Sequence, residues 1–181
     1  MVIGSDRRGA RHLVLVGLMG AGKTTVGARC AELLGRPFVD TDDVVEAAAG
    51  HSVAEIFAAE GERGFRRRER QAVADVCASP APLVIACGGG AVLDPANRAC
   101  LRASGFVVWL HAEPAVLAAR VGPGEGRPLL APHGAAATLE RLDLLRAPAY
   151  EAAADVTVET ADRSVDEVAD AVVGELTRWS A

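Results

Sequence analysis

Residues 17–24, Gly-Leu-Met-Gly-Ala-Gly-Lys-Thr, fit the pattern G-x-x-x-x-G-K-[ST]. They lie between an apolar run, "HLVLVG" (12–17), and a helical pattern, "KTTVGARCAELLG" (23–35). A buried strand that turns through three glycines directly into a helix leaves few architectures open. Further short apolar runs at 37–40, 82–87, 106–111 and 155–160 read as strands. Helical patterns separate them, at about 52–59, 62–78, 94–103, 113–121, 135–152 and 164–179.

Several helix ends carry a signal of their own. Gly35, with Pro37 beyond it, ends the first helix. Ser52–Glu55 and Ser164–Glu167 are capping boxes, and Asp94-Pro95 is an N-cap followed by a proline at the first helical position. Continuous apolar strands alternating with helices predict an α/β fold. The expected form is a single three-layer domain whose five-stranded parallel sheet has helices on both faces. Half of the 181 residues are apolar, enough for such a core. Ligands of these sheets sit beyond the carboxyl ends of the strands, and each unusual cluster here follows a strand.

Lys23 is the only lysine among 19 Lys plus Arg. Base composition explains most of the arginines, but not the one place where arginine was not used. A compact ammonium can reach between β- and γ-phosphates inside a tight loop, and a planar guanidinium cannot. The glycines let successive N–H groups form a nest, and the next helix presents its positive end to the same phosphates. An ordinary Gly-rich turn is the plainer alternative. The complete pattern in its strand-to-helix context favours ATP, held by Gly20, Ala21, Gly22, Lys23, Thr24 and Thr25. Thr24 would offer its hydroxyl to Mg²⁺.

Net charge is −5, and no basic tail or aromatic–basic stripe is present, which argues against a nucleic-acid surface. Cys30, Cys77, Cys87 and Cys100 are widely spaced, lack C-x-x-C, and share no ligand spacing with the four histidines. They read as reduced, partly buried thiols of a cytoplasmic protein. "MVIGSDRRGAR" has no apolar stretch of signal-peptide length after it, and no run is long enough for a membrane span. Residues 1 to about 10 are expected to be a flexible tail.

"PFVDTDD" places Asp40, Asp42 and Asp43 at a strand end. If extended geometry persists, Asp40 and Asp42 share a side, one to orient water on Mg²⁺ and one to hold a substrate hydroxyl. Turn and cap roles compete for all three, and Asp43 suits a helix N-cap or first-turn acid better. In "GFRRRERQ", Phe65 is an expected core anchor and Arg66 sits at the cleft rim. Arg67, Arg68 and Arg70 read as a solvated face. Gly88–Gly90 allow either a tight turn or a ligand close to the main chain. Arg127 lies in the Gly/Pro-rich segment of about 120–134, which suits a lid, and it could neutralise charge on a transferred phosphoryl. Arg146 could be a plain helix-terminal cation. Paired arginines suit an acceptor bearing a carboxylate.

Taken in order, "GLMGAGKTTVG", "FVDTD", "SVAEIFAAEGERGFRRRE", "GGGA", "RPLL" and "RAPAY" resemble the shikimate kinase family of small P-loop, nucleoside-monophosphate-kinase-like enzymes, over about Leu13 to Ser164. The resemblance implies transfer of a phosphoryl group from ATP, with Mg²⁺, to the 3-hydroxyl of shikimate on the route to chorismate and aromatic amino acids. It implies that Asp42 holds the acceptor hydroxyl and that Asp40 positions Mg²⁺ with Thr24. Arg66 and Arg146 would pair with the shikimate carboxylate beside Gly88, Gly89 and Gly90, and Glu69 would orient the arginines. Arg127 would touch the transferred phosphate, and Arg120 would lie near adenine. The family's V-D-T after the last strand reads "VETADR" here, so Arg163 is the candidate for the second adenine contact.

The expected organisation is one kinase domain over 1–181, with an acceptor-binding region at about 42–78 and the lid at about 120–134. A monomer is expected, with shikimate as its small-molecule partner. Two rivals remain: a P-loop kinase for another hydroxylated acid such as gluconate, and a nucleotide-binding domain that has lost catalysis.

Overall fold

A computed structural model of the chain describes residues 12–121 and 134–181. Five strands form one parallel sheet: β1 (His12–Val16), β2 (Phe38–Asp40), β3 (Val84–Ala86), β4 (Gly105–His111) and β5 (Val156–Glu159). Their spatial order is β2-β3-β1-β4-β5. Central Val14 stands opposite Ile85 on one side and Val107 on the other. All five residues of β1 are buried, and so are the first six of β4. This is why neither strand alternates in sequence: both of its faces are covered.

Helix α1 (Lys23–Leu34) packs against α7 (Val165–Ser180). Helix α4 (Pro95–Ser104) packs against α3 (Val53–Cys77) and α6 (Ala135–Ala153). Helix α5 (Pro114–Val121) packs on α6. Gly35 ends α1 in the left-handed region, and both serine capping boxes form. All four cysteines are free, two of them buried and two partly so. No described helix is long and apolar enough to cross a membrane.

One reading of the sequence needs correction. Helix α2 (Thr41–Ala49) starts immediately after β2, so extended geometry does not persist through Asp42. Its N-cap is Asp40, and Asp43 stands in the first turn, one of the two places expected for it. The two helical patterns expected around 52–78 are both present, joined across a kink at Gly61, whose φ is 67°. The kink separates a short arm, whose Ile56 packs with Val45 of α2, from the longer stretch that carries Phe65, Arg66 and Glu69. The expected tail and most of the lid segment, with Arg127, lie outside the described residues.

Candidate active site

Beyond the carboxyl ends of β1, β2 and β3 lies a cavity of about 910 Å³. Its walls include all the described residues expected at the site, from Gly20–Thr25 through Asp40 and Asp42 to Arg163. One end is built from main chain. Gly22 caps α1 with φ 91°, a conformation side chains disfavour, and no side chain occupies the cap. The first amides of α1 are thus left to face a ligand. Lys23 Nζ donates to the Leu18 carbonyl at 2.9 Å, across the mouth of the loop. Arg120 donates to Thr160 Oγ1 at 2.9 Å and to the Gly20 carbonyl at 3.4 Å, tying the loop to the segment after β5. Arg163 donates to the Glu159 and Glu167 carbonyls at 3.2 and 2.8 Å, which braces the same segment.

The carboxylates form the middle of the cavity. Both oxygens of Asp40 are engaged: Oδ1 accepts from the Asp42 amide at 3.0 Å and Oδ2 from the Thr24 hydroxyl at 3.1 Å. The cap therefore places Asp40 beside Asp42, by a route other than strand periodicity. Thr24 and Asp40 present hard oxygen donors of the kind Mg²⁺ takes. Among the described residues, no cluster of three or more His, Cys, Asp or Glu could hold a metal alone.

Asp42 Oδ1 is buried and has no hydrogen-bond partner among the described residues. Burial, then the charges of Asp40 and Glu69, push its carboxyl up to about 6, against the pull of Lys23 and Arg66. Glu69 is 1% exposed, and its Oε1 is also without a partner among the described residues. Burial pushes this acid up as well, with Arg66 opposing. Both orphaned oxygens face Gly88, where a Cβ would lie 2.6 Å from Asp42 Oδ1 and 3.1 Å from Glu69 Oε1. Only a glycine permits this approach. Two buried acceptors with no donor are costly unless a ligand's hydroxyls supply one.

The far end of the cavity is cationic. Arg66 Nη1 donates to Glu69 Oε2 at 2.6 Å, and its guanidinium fills the space a Gly90 side chain would need. Arg146 is 8% exposed, so it is not a terminal cation. It lies inside α6 and donates to the Gly89 carbonyl at 3.0 Å. Phe65 is a core anchor, as expected, stacked on Phe57 at 4.7 Å. Arg68 and Arg70 are paired, with Glu60 and Asp94, on the outer face.

Other lining residues were not anticipated: Glu46, Ser52, Val53, Ala54 and Phe57. The capping box located this helix start but not the direction it faces. Thr41 was also missed. Its hydroxyl accepts from the Gly88 amide at 3.0 Å and fixes the glycine loop to α2.

The chain is similar to known proteins. The family model described as shikimate kinase matches residues 19–177. A shikimate kinase of Symbiobacterium thermophilum is 52% identical over 168 residues, covering 91% of this chain and 95% of that protein. One from Thiobacillus denitrificans is 46% identical, covering 91% and 90%. The solved structure of shikimate kinase from Acinetobacter baumannii in complex with shikimate superposes with a TM-score of 0.89. It is 36% identical and covers 95% of this chain and 96% of that one. A gluconokinase from Sinorhizobium meliloti, 21% identical with a TM-score of 0.60 and 93% coverage of each chain, shares the fold.

Proposed function

This chain belongs to the shikimate kinase family, and on that premise we propose how its residues carry the γ-phosphoryl group of ATP to the 3-hydroxyl of shikimate. It is an ATP-dependent phosphotransferase of the shikimate pathway. The observation that carries the assignment of roles is one shared cavity, with an amide nest at one end, two arginines at the other and an orphaned carboxylate between them.

The amides of Gly20–Thr25 and the Lys23 ammonium hold the β- and γ-phosphates. Arg120 and Arg163 flank the nucleoside end. Thr24 and Asp40 hold Mg²⁺, which neutralises phosphate charge when bound. Arg66 and Arg146 grip the carboxylate of shikimate, with Gly88–Gly90 giving it room and Glu69 orienting Arg66. That grip directs the 3-hydroxyl to Asp42. Asp42 Oδ1 accepts its hydrogen bond, aligns the oxygen for in-line attack and takes the proton as the bond to the γ-phosphorus forms and the bond from that phosphorus to the β-phosphate oxygen breaks, with ADP leaving. With its carboxyl near 6, Asp42 is ionised at neutral pH and still basic enough for the task. Arg127, on the lid, meets the charge that develops on the transferred group.

The organisation we propose is one domain with an acceptor-binding region at about 42–78 and a lid at about 120–134, working as a cytoplasmic monomer. Free cysteines suit a reducing compartment. A coupled assay of ADP release with shikimate, quinate and gluconate side by side tests the substrate. ADP release should depend on shikimate. Faster turnover of gluconate would transfer the assignment to the other acid.

A further inference from the structure

The cavity wall at Gly89 is held from behind. The Gly89 carbonyl accepts from two donors, the Tyr150 hydroxyl at 2.6 Å and Arg146 Nη1 at 3.0 Å. Tyr150 is completely buried and does not line the cavity, so it cannot touch the acceptor. Its ring stacks on Trp109 of β4, centroids 5.5 Å apart and planes inclined by 24°. A rigid strand therefore fixes the ring, and the ring fixes the hydroxyl. Burial pushes that hydroxyl up to about 12, so it stays a proton donor at any working pH.

Two consequences follow from elementary geometry. In a trans peptide the N–H points opposite to the C=O. Anchoring the Gly89 carbonyl toward α6 thus turns the Gly90 amide away from it. Within the loop, Gly88 donates to Thr41 and Ala91 donates to Gly88. The Gly89 and Gly90 amides donate to no described residue, and both glycines line the cavity. Second, Tyr150 stands four residues after Arg146, one helical turn away on the same face. The two side chains share one acceptor, so the hydroxyl also limits where the guanidinium can rest.

We infer that Tyr150 is a positioning residue for acceptor recognition: its hydroxyl sets the Gly89–Gly90 peptide and, beside it, Arg146. This rests on the acceptor-site reading above. It predicts an effect on the acid substrate and little effect on the nucleotide, which a merely structural tyrosine would not produce.

Tyr150→Phe keeps the ring and the stack on Trp109 and removes only the hydroxyl. We expect the shikimate KM to rise about tenfold, as for a lost buried hydrogen bond. The ATP KM and kcat should stay within about twofold, and Tm within a few degrees. Combined with Arg146→Ala, the change should be clearly less than additive, because both residues act on one carbonyl. An unchanged shikimate KM, equal rises for both substrates, or full additivity would each overturn the inference. Arg146→Ala alone separates the two readings. If it weakens shikimate while Tyr150→Phe does not, only the role of Tyr150 fails. If it leaves shikimate untouched, the acceptor-site reading fails and takes this inference with it.

Discussion

The two ends of the cavity are built in different ways. The phosphate end is nearly all local: a few consecutive residues, main-chain amides and one ammonium, between β1 and α1. The acceptor end is assembled from α2, α3, the loop after β3 and α6, which place Asp42 and Arg146 more than 100 residues apart in sequence into one wall. Local main chain makes a site insensitive to distant packing. A site assembled from side chains on separate helices depends on every contact that holds those helices in register. Its polar groups are also buried, so its energetics rest on desolvation in a way the amide nest does not.

That contrast can be broken or sharpened by experiment. Arg127→Ala should show the largest effect, a loss on the order of 10³-fold in kcat with much smaller changes in binding. Retention within about tenfold would remove Arg127 from the reaction. Lys23→Ala comes next, with roughly 10²–10³-fold lost from kcat/KM and weakened ATP binding by calorimetry. Shikimate affinity should be unaffected, because the nest does not depend on the acceptor end.

Asp42→Asn should lose about 10²-fold in kcat and, unlike the lysine variant, gain stability. Burial raises this carboxyl from its ordinary 3.8 to about 6. An acid raised in the fold costs stability once ionised, so the penalty is absent below about pH 4 and complete above about pH 6. At pH 8 the asparagine variant should therefore melt higher, by roughly 1–3 kcal/mol in unfolding free energy. An equal or lower Tm at that pH would contradict the burial argument.

The smallest effect expected is in the pH profile of kcat/KM for shikimate. The rate is full where Asp42 is ionised, above about 6, and falls about tenfold per pH unit below it. Substitution of Asp42 should remove this limb. A limb that persists in the variant belongs to another group.

Much of this was legible in the residues themselves. The nest was, because its pattern, its glycines and its flanking elements are contiguous. So were the parallel sheet and the capped helix starts. Asp40 shows where legibility ended. Strand periodicity predicted that it shares a side with Asp42, and the two do meet, but through a helix cap whose start one residue after β2 was not foreseen. The helix over about 135–152 was read from the pattern, but Arg146 kept a bland terminal reading until the fold showed it buried on α6. Thr41 and Tyr150 stand inside the stretches "FVDTD" and "RAPAY", but nothing in those stretches states the task of either residue.

The order of residues alone set the α/β class, the phosphate loop and the types of side chain available for an acid acceptor, since propensity, capping and the nest depend on neighbours within a few positions. Folding chose which arginines face inward, which carboxylate lost its partner and which hydroxyl supports the glycine loop. Those choices depend on burial and on distances between chain segments far apart, and no spacing along the chain encodes them.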